Sequence, residues 1–407
     1  MRRGFGRVFS YWRAERRTIL QGFVALLISG FGSLVAGIAL GAITGTLEAL
    51  PGLMVMVPAA IGMRGNIFGA MASRLGTSIH AGLYQPTRER EGVLFQNIFA
   101  VTVLTLAISL LLGVLAETFS EVFGIESISV LDFMVISVIG GVLSSVVVGA
   151  ITILLSRVAF RRGWDLDSVA APLITAAGDM VTLPALFVAT VFAGVRWVTP
   201  AIAGIAIGVT AAITIRSFLT DLPLTKRVLR ESIPILAIAG AVDVFAGLFI
   251  EVRLERFLIF PALLVLIPPF LEGAGALGGI LTSRLASKLH LGVLSPRGRP
   301  EPAAVLDASI VVLFAFVTFL LTGIAADIAA ALVGLASPGA LRLIGISMLA
   351  GTIATILAIV VAYYAAIATY RLGMDPDNHG IPLITSSMDF IGVISLIIGM
   401  MAFGLGS

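Results

Sequence analysis

Cysteine is absent from this sequence of 407 residues, and charged residues make up only 12% of it. The missing cysteine excludes disulfides, thiolate metal sites and cysteine nucleophiles. The share of charge is about half that of an average soluble domain. With 58% hydrophobic residues and a mean hydropathy of +1.09, the composition indicates an integral membrane protein.

Several functional motifs are also missing from the sequence. It has no GxxxxGK[ST] phosphate-binding loop, so ATP-driven pumping by this chain alone is not expected. It lacks the HExxH and GxSxG patterns of two hydrolase classes, and no small-residue cleavage site follows the basic start. We therefore expect no enzyme activity, no nucleic-acid partner and no removal of the N-terminus as a signal peptide.

Long apolar runs dominate what is present. A membrane span needs roughly 20 apolar residues, and eleven runs are candidates. The sequence predicts an all-α integral membrane protein with about eleven transmembrane helices, at 18–47, 52–74, 94–116, 130–157, 169–196, 198–218, 232–250, 257–283, 304–333, 339–369 and 381–405.

Basic residues concentrate in alternate loops, and the loops between them are short or acidic. By the positive-inside rule the basic side is cytoplasmic. We expect a multi-pass protein of the cell membrane with a cytoplasmic N-terminus and a C-terminus outside. The basic loops contain Arg74, Arg88, Arg157, Arg161, Arg162, Arg216, Lys226, Arg284 and Arg371, and an acidic loop contains Glu117, Glu121 and Glu126.

The chain repeats itself at an offset of 210 residues. This single register pairs PLIT at 172–175 with PLIT at 382–385, SRL at 73–75 with SRL at 283–285, and Asp179 with Asp389. Each copy has five predicted helices, so an extra helix is needed to give both the same orientation. The predicted divisions are a cytoplasmic segment at 1–17, repeat one at 18–196, a linking helix and loop at 197–231, and repeat two at 232–407. A pseudo-two-fold axis along the membrane normal would relate the repeats.

Asp179 and Asp389 are the main candidates for a functional site. Each follows the proline of its PLIT by seven residues, about 10 Å along a helix. A carboxylate inside the membrane is costly and marks a functional hypothesis, although a structural aspartate bonded to a neighbour is the alternative. Two close carboxylates repel unless one is protonated or a cation lies between them. Oxygen ligands favour Mg²⁺ or a similar hard ion. Thr175 and Thr385, one turn earlier, are further candidate ligands.

The second helix of each repeat is rich in glycine, which permits close helix contacts or a broken helix that lines a cavity. Asn66 adds a polar carbonyl in the first copy, whereas the second copy has Ala276 there and offers Glu272 instead. Asp243 is matched by Ser33, and is either an asymmetric proton or sodium site or a packed polar residue.

Acidic pairs precede the two aspartate helices, as Asp165 and Asp167 in one copy and Asp375 and Asp377 in the other. They are either ordinary helix caps or a vestibule that attracts cations. His80 and His290 match each other in the predicted basic loops, and His379 has no partner. Three scattered histidines do not predict a transition-metal site.

The segments PAAIGMRGNIFGAMASRL, DLDSVAAPLITAAGD and DPDNHGIPLITSSMD resemble the membrane domain of the MgtE magnesium channels, and the fused repeats resemble solute carrier family forty-one. The resemblance covers both repeats. It implies a central pathway formed by two five-helix copies, with Mg²⁺ bound by the aspartate of the fifth helix, at Asp179 and Asp389. The Gly-Asn of the second helix in that family falls on Gly65 and Asn66, but the second copy has Gly275-Ala276.

Transport of a divalent cation, most simply Mg²⁺, is the predicted function, and the partners are this ion and the lipid bilayer. Since the repeats are fused, we expect a monomeric pore. A Na⁺- or H⁺-coupled exchanger, an intramembrane metal-dependent enzyme and a membrane scaffold are the alternatives. Only about seventeen residues precede the first predicted helix, so we expect no counterpart of the cytoplasmic gating domains of MgtE channels.

Overall fold

The computed structural model describes residues 2–84, 87, 89–162, 166–373 and 381–405. This part of the chain contains fourteen α-helices and no β-strand. The helices are α1 Arg2–Ala14, α2 Arg16–Ala42, α3 Thr44–Ala49, α4 Leu53–His80, α5 Val93–Val122, α6 Val130–Arg162, α7 Leu166–Thr190, α8 Val198–Leu219, α9 Pro223–Glu251, α10 Leu254–Ile259, α11 Ala262–His290, α12 Pro302–Val333, α13 Ala340–Leu372 and α14 Ile381–Ala402.

Eleven of these helices are long and apolar enough to cross a membrane: α2, α4 to α9 and α11 to α14. The prediction of an all-α integral membrane protein with about eleven spans is confirmed. A spanning helix satisfies its own backbone hydrogen bonds, which the hydrocarbon interior cannot do for it. The chain is therefore a multi-pass membrane protein.

Helix α9 begins nine residues before the start at 232 that the sequence predicted. Pro223 occupies its first turn, where a missing N–H costs no hydrogen bond. The basic residues that follow were wrongly assigned to a loop, because they lie on an exposed helical surface. Arg227 forms an ion pair of 2.8 Å with Glu231, one turn later.

Other helix boundaries differ in the same way. Helices α4 and α11 continue to His80 and His290, so these histidines lie in last helical turns rather than in the predicted loops. The predicted helix at 257–283 is divided into α10 and α11, with Pro261 between them. The basic N-terminal segment forms the separate helix α1.

The chain forms two compact units. One contains residues 38–259, where α4 packs against α5, α6, α7 and α9. The other contains residues 1–37 and 260–407, where α11 packs against α12, α13 and α14. Helices α4 and α11, the second helices of the two sequence repeats, are the most buried spans, with 67% and 78% of the residues in an apolar 18-residue segment buried.

The compact units and the sequence repeats divide the chain differently, because the first helices are exchanged. Helix α9 begins repeat two but packs on α4 and α5 of repeat one. Helix α2 begins repeat one, but its residues up to Gly37 belong to the unit that contains α11. In each unit, the second helix of one repeat is therefore grouped with the first helix of the other repeat.

A glycine lies at each of these crossings. Gly247 of α9 lies against the backbone of Val55 in α4, and Gly37 of α2 lies against Val265 in α11. The offset of 210 relates the two glycines and the two valines. A β carbon at either glycine would overlap the valine carbonyl oxygen, so the backbones approach as closely as small residues allow.

We expect Gly247→Ala to destabilise the protein by about 1–3 kcal/mol, because backbone atoms leave no room for a methyl group. The measurement is the thermal midpoint for loss of monodisperse protein in detergent. Gly208→Ala in α8 is the control, since a β carbon there meets no atom within 4 Å. In a helix this change is otherwise stabilising by roughly 0.5–1 kcal/mol. Equal midpoints for the two variants would contradict the crossing.

Candidate cation site

Asp179 and Asp389 lie inside membrane-spanning helices. Asp179 is in α7 and is 4% exposed, and Asp389 is half-buried in α14. Asp179 belongs to the unit of residues 38–259, and Asp389 belongs to the other unit. Each aspartate helix packs against the glycine-rich second helix of its own repeat, α7 on α4 and α14 on α11.

A threonine and a glycine meet at both of these helix contacts. A β carbon on Gly65 would lie 3.8 Å from the Thr175 side chain, and one on Gly275 would lie 3.8 Å from the Thr385 side chain. The structure therefore brings together residues that the sequence analysis selected separately. The Thr385 hydroxyl also donates a hydrogen bond of 3.0 Å to the Pro382 carbonyl. Each threonine lies one turn before its aspartate.

Helix α4 has one half-exposed face, although most of its surface is buried. A β carbon at Gly69 on this face would meet no atom within 4 Å. Small and polar side chains of this kind are typical of the wall of a water-filled path. The face consists of Gly62, Gly65, Asn66, Gly69, Ala70 and Ser73.

Helix α11 has a corresponding half-exposed face with Glu272, Ala276 and Gly279. Gly279, the equivalent of Gly69, also lies beside open space. The Ser29 hydroxyl of α2 donates a hydrogen bond to the Glu272 carboxylate. The two second helices thus share an open small-residue face but carry different polar groups, Asn66 in α4 and Glu272 in α11.

Part of the predicted site lies outside the described residues. This applies to Asp165, Asp375 and Asp377, and to the side chain of Asp167. Within the ranges that the structure does describe, no three His, Asp or Glu side chains form a group that could hold a metal ion. The described candidate ligands are therefore single carboxylates in separate helices, accompanied by hydroxyl and amide groups.

Arg64 was missed by the sequence analysis. It lies in α4 beside Gly65, is 1% exposed, and binds two neighbouring helices. Its guanidinium donates to the Gly141 carbonyl at 3.1 Å, to the Ser145 hydroxyl at 2.7 Å and to the Ser109 hydroxyl at 3.3 Å. A β carbon on Gly178 would lie 3.4 Å from the Arg64 β carbon. Arg64 therefore links α4, α5 and α6 next to the segment that contains Asp179.

Repeat two fills the equivalent position with an aromatic ring. Ala274 replaces Arg64 and Phe319 replaces Ser109. Phe319 is 2% exposed, packs against Phe270 with a ring separation of 4.8 Å, and covers Gly351, the equivalent of Gly141. When the repeats are aligned, charge is lost at one of these positions and volume is gained at the other. This paired difference is the sequence signal that could have identified Arg64.

Comparison with known proteins identifies two matches to one family. The sequence model for MgtE, a divalent cation transporter, matches residues 57–189 and 267–399. The two matched ranges are separated by the same 210 residues as the repeats. Together they cover about two thirds of the chain.

The chain is also similar to curated members of solute carrier family 41. Member 3 from Rattus norvegicus is 27% identical in an alignment of 414 positions, and the alignment covers 92% of this chain and 85% of that protein. Member 2 from Homo sapiens is 25% identical in an alignment of 411 positions, and the alignment covers 93% of this chain and 69% of that protein.

The Arg64 and Phe319 clusters make a swap experiment possible. We expect Arg64→Ala to cost about 2–5 kcal/mol, because it leaves a cavity and removes donors from buried acceptors. Ser109→Phe alone should also destabilise, since the ring would overlap the guanidinium. The double variant Arg64→Ala/Ser109→Phe reproduces the packing of repeat two and should recover much of the loss. The measurement is the unfolding midpoint in a denaturing-detergent titration. A double variant as unstable as the sum of the two single variants would contradict this equivalence.

Proposed function

Because the chain belongs to the MgtE family of divalent cation transporters, we propose that its cargo is Mg²⁺ and that Asp179 and Asp389 bind the ion during passage. Divalent cation transport across a membrane follows from the family, and the chain is a transporter rather than an enzyme. The choice of Mg²⁺ and the role of the two aspartates are the parts that we add.

One helix contact, which occurs in both repeats, supports this proposal. In each repeat the aspartate helix meets the second helix through Thr175 and Gly65 or through Thr385 and Gly275. Each second helix has its half-exposed small-residue face close to that contact. Carboxylate, hydroxyl and amide oxygens are hard ligands that suit Mg²⁺. With Asn66 as a further ligand in repeat one, a hydrated ion would need few direct protein contacts.

The membrane potential is sufficient to drive uptake. One elementary charge gains about 2.3 kcal/mol per 100 mV, and a divalent ion gains twice as much. We assign the basic loops and the N-terminus to the cytoplasm by the positive-inside rule, and the C-terminus to the outside. A pseudo-two-fold axis along the membrane normal would then carry the pathway, with one chain as a complete pore because both repeats are fused.

Coupled exchange is the second candidate, and two asymmetric carboxylates favour it. Asp243 of α9 is fully buried where repeat one has Ser33, and Glu272 of α11 contacts Ser29 where repeat one has Gly62. A pathway with symmetric chemistry needs neither. Either carboxylate could bind Na⁺ or a proton, and efflux of Mg²⁺ against the membrane potential would need such coupling.

We expect Asp179→Asn and Asp389→Asn each to lower Mg²⁺ flux at least about tenfold. Changes behind a metal ligand already cost about 10–100-fold in affinity, so loss of a ligand charge should cost no less. The measurement is the initial rate of Mg²⁺ entry into liposomes that contain the purified protein and an internal Mg²⁺-sensitive dye.

Asp221→Asn is the matched control, because it removes one carboxylate at an exposed position between α8 and α9 and should leave the rate unchanged. If Asp179→Asn and Asp389→Asn both transport Mg²⁺ at the native rate, the assignment of the aspartates is refuted. If the native protein shows no Mg²⁺ flux under any gradient, Mg²⁺ transport itself is refuted. A rate that depends on an opposing Na⁺ or pH gradient would favour exchange over a channel.

A further inference from the structure

One face of helix α1 is fixed to the unit that contains α11 and α12. The Tyr11 hydroxyl donates to the Asp307 carboxylate at 2.7 Å, and accepts from Arg284 at 3.0 Å and from Lys288 at 3.1 Å. Burial raises the pKa of the Tyr11 phenol, which keeps its proton available for Asp307. The Trp12 indole donates to the Ser309 hydroxyl at 3.0 Å. This face of α1 is therefore held in a defined position.

Asp307 is the centre of this attachment. It is 0% exposed and forms ion pairs with Arg284 at 2.8 Å and with Lys288 at 2.6 Å. Glu15, which follows α1 directly, adds an ion pair of 3.2 Å to Arg284. The acidic group nearest to the end of α1 is thus already paired with a cation of α11.

The other face of α1 forms an open cleft of about 480 Å³. Phe9 is 63% exposed, and its ring meets the Trp12 ring edge-on at 5.6 Å. Arg13 and Arg16 are exposed at the same cleft. Among the residues with described side chains, neither arginine forms an ion pair. The cleft combines two available guanidinium groups with an aromatic wall and is lined by Gly6, Phe9, Ser10, Trp12, Arg13 and Arg16.

This cleft lies at the start of a membrane span. Arg16 is the first residue of the candidate span Arg16–Ala42, and Glu15 alone separates α1 from α2. Aromatic rings and basic side chains at the end of a span occupy the level of the lipid head groups. A phospholipid presents a phosphate and the start of its acyl chains at that level. The phosphate is therefore complementary to the guanidinium groups of the cleft, and the acyl chains are complementary to its aromatic wall.

We infer that this cleft binds the head group of an anionic phospholipid, with Arg13 and Arg16 on the phosphate and Phe9 and Trp12 against the glycerol and upper acyl region. The lipid site is separate from the cation site and does not depend on the transported ion. Through Tyr11 and Glu15 it is connected to Arg284 of α11 and Asp307 of α12. A bound lipid would therefore hold α1 between the membrane surface and these two helices.

Trp12 fluorescence tests the inference directly. The variant Trp164→Phe/Trp197→Phe leaves Trp12 as the only tryptophan. It is reconstituted in phosphatidylcholine vesicles with increasing amounts of brominated phosphatidylglycerol or brominated phosphatidylcholine. We expect half-maximal quenching at a lower mole fraction of the anionic lipid. For two basic residues near the membrane surface, the expected preference is up to about 30-fold.

In the same background, Arg13→Gln/Arg16→Gln should abolish the preference, whereas Arg13→Lys/Arg16→Lys should retain most of it. Arg216→Gln/Arg230→Gln removes two exposed positive charges elsewhere and should leave it unchanged. The proposal is overturned if the parent variant shows no preference, if the Gln variant keeps it, or if the Lys variant loses it. Inorganic phosphate at constant ionic strength should have no effect, and loss of the preference in phosphate would identify a free-phosphate site instead.

Discussion

The close crossing of α9 on α4 at Gly247, and of α2 on α11 at Gly37, is the contact that organises both compact units. In a bilayer the lipid is as apolar as the helices, so close packing rather than water exclusion must hold spans together. A glycine lets two backbones approach to the distance at which this packing is strongest. Each crossing joins a first helix to the second helix of the other repeat. This exchange of first helices therefore fixes the position of α4 and of α11 within its own unit. These two helices carry the half-exposed faces of the candidate site.

The two repeats show how one helix arrangement accepts different chemistry. Around Arg64, buried hydroxyl and carbonyl groups surround a guanidinium, whereas Phe319 fills the equivalent position by packing. Near the ends of α4 and α11, Arg74 donates to Asn97 at 2.9 Å, and the equivalent Arg284 pairs with Asp307. A buried charge is tolerated only where its partners change with it. Duplication supplied two identical sets of positions, and their later differences occur in groups of contacting residues.

Much of the fold could be predicted from the sequence, because spans need long apolar runs and the repeat keeps one register over its full length. The predicted start of a helix was wrong where charged residues were taken as a sign of a loop. Helix α9 begins at Pro223 instead, because exposed helical surfaces also carry charge. The exchange of first helices was not predicted, because hydrophobicity shows that a helix is in the membrane but not which neighbour it contacts. Arg64 was missed because a single basic residue gives no period, and its partners Ser109 and Ser145 are distant in sequence. The contact of Gly65 with Thr175 joined residues that the sequence had marked for other reasons.

Transport of a divalent ion requires ligands that bind the ion and still release it. A dense carboxylate cage would bind Mg²⁺ tightly and release it slowly, whereas conduction needs sites weak enough for the ion to leave. Mg²⁺ loses its water reluctantly, so a hydrated ion can be held by one or two carboxylates and the remaining contacts can be made through water. Asp179 and Asp389 would supply those charges, and small residues such as Gly69 and Gly279 leave room for the hydration shell. Glycine in the second helices would therefore serve two physical purposes, since it permits close helix contact on one face and an open path on the other.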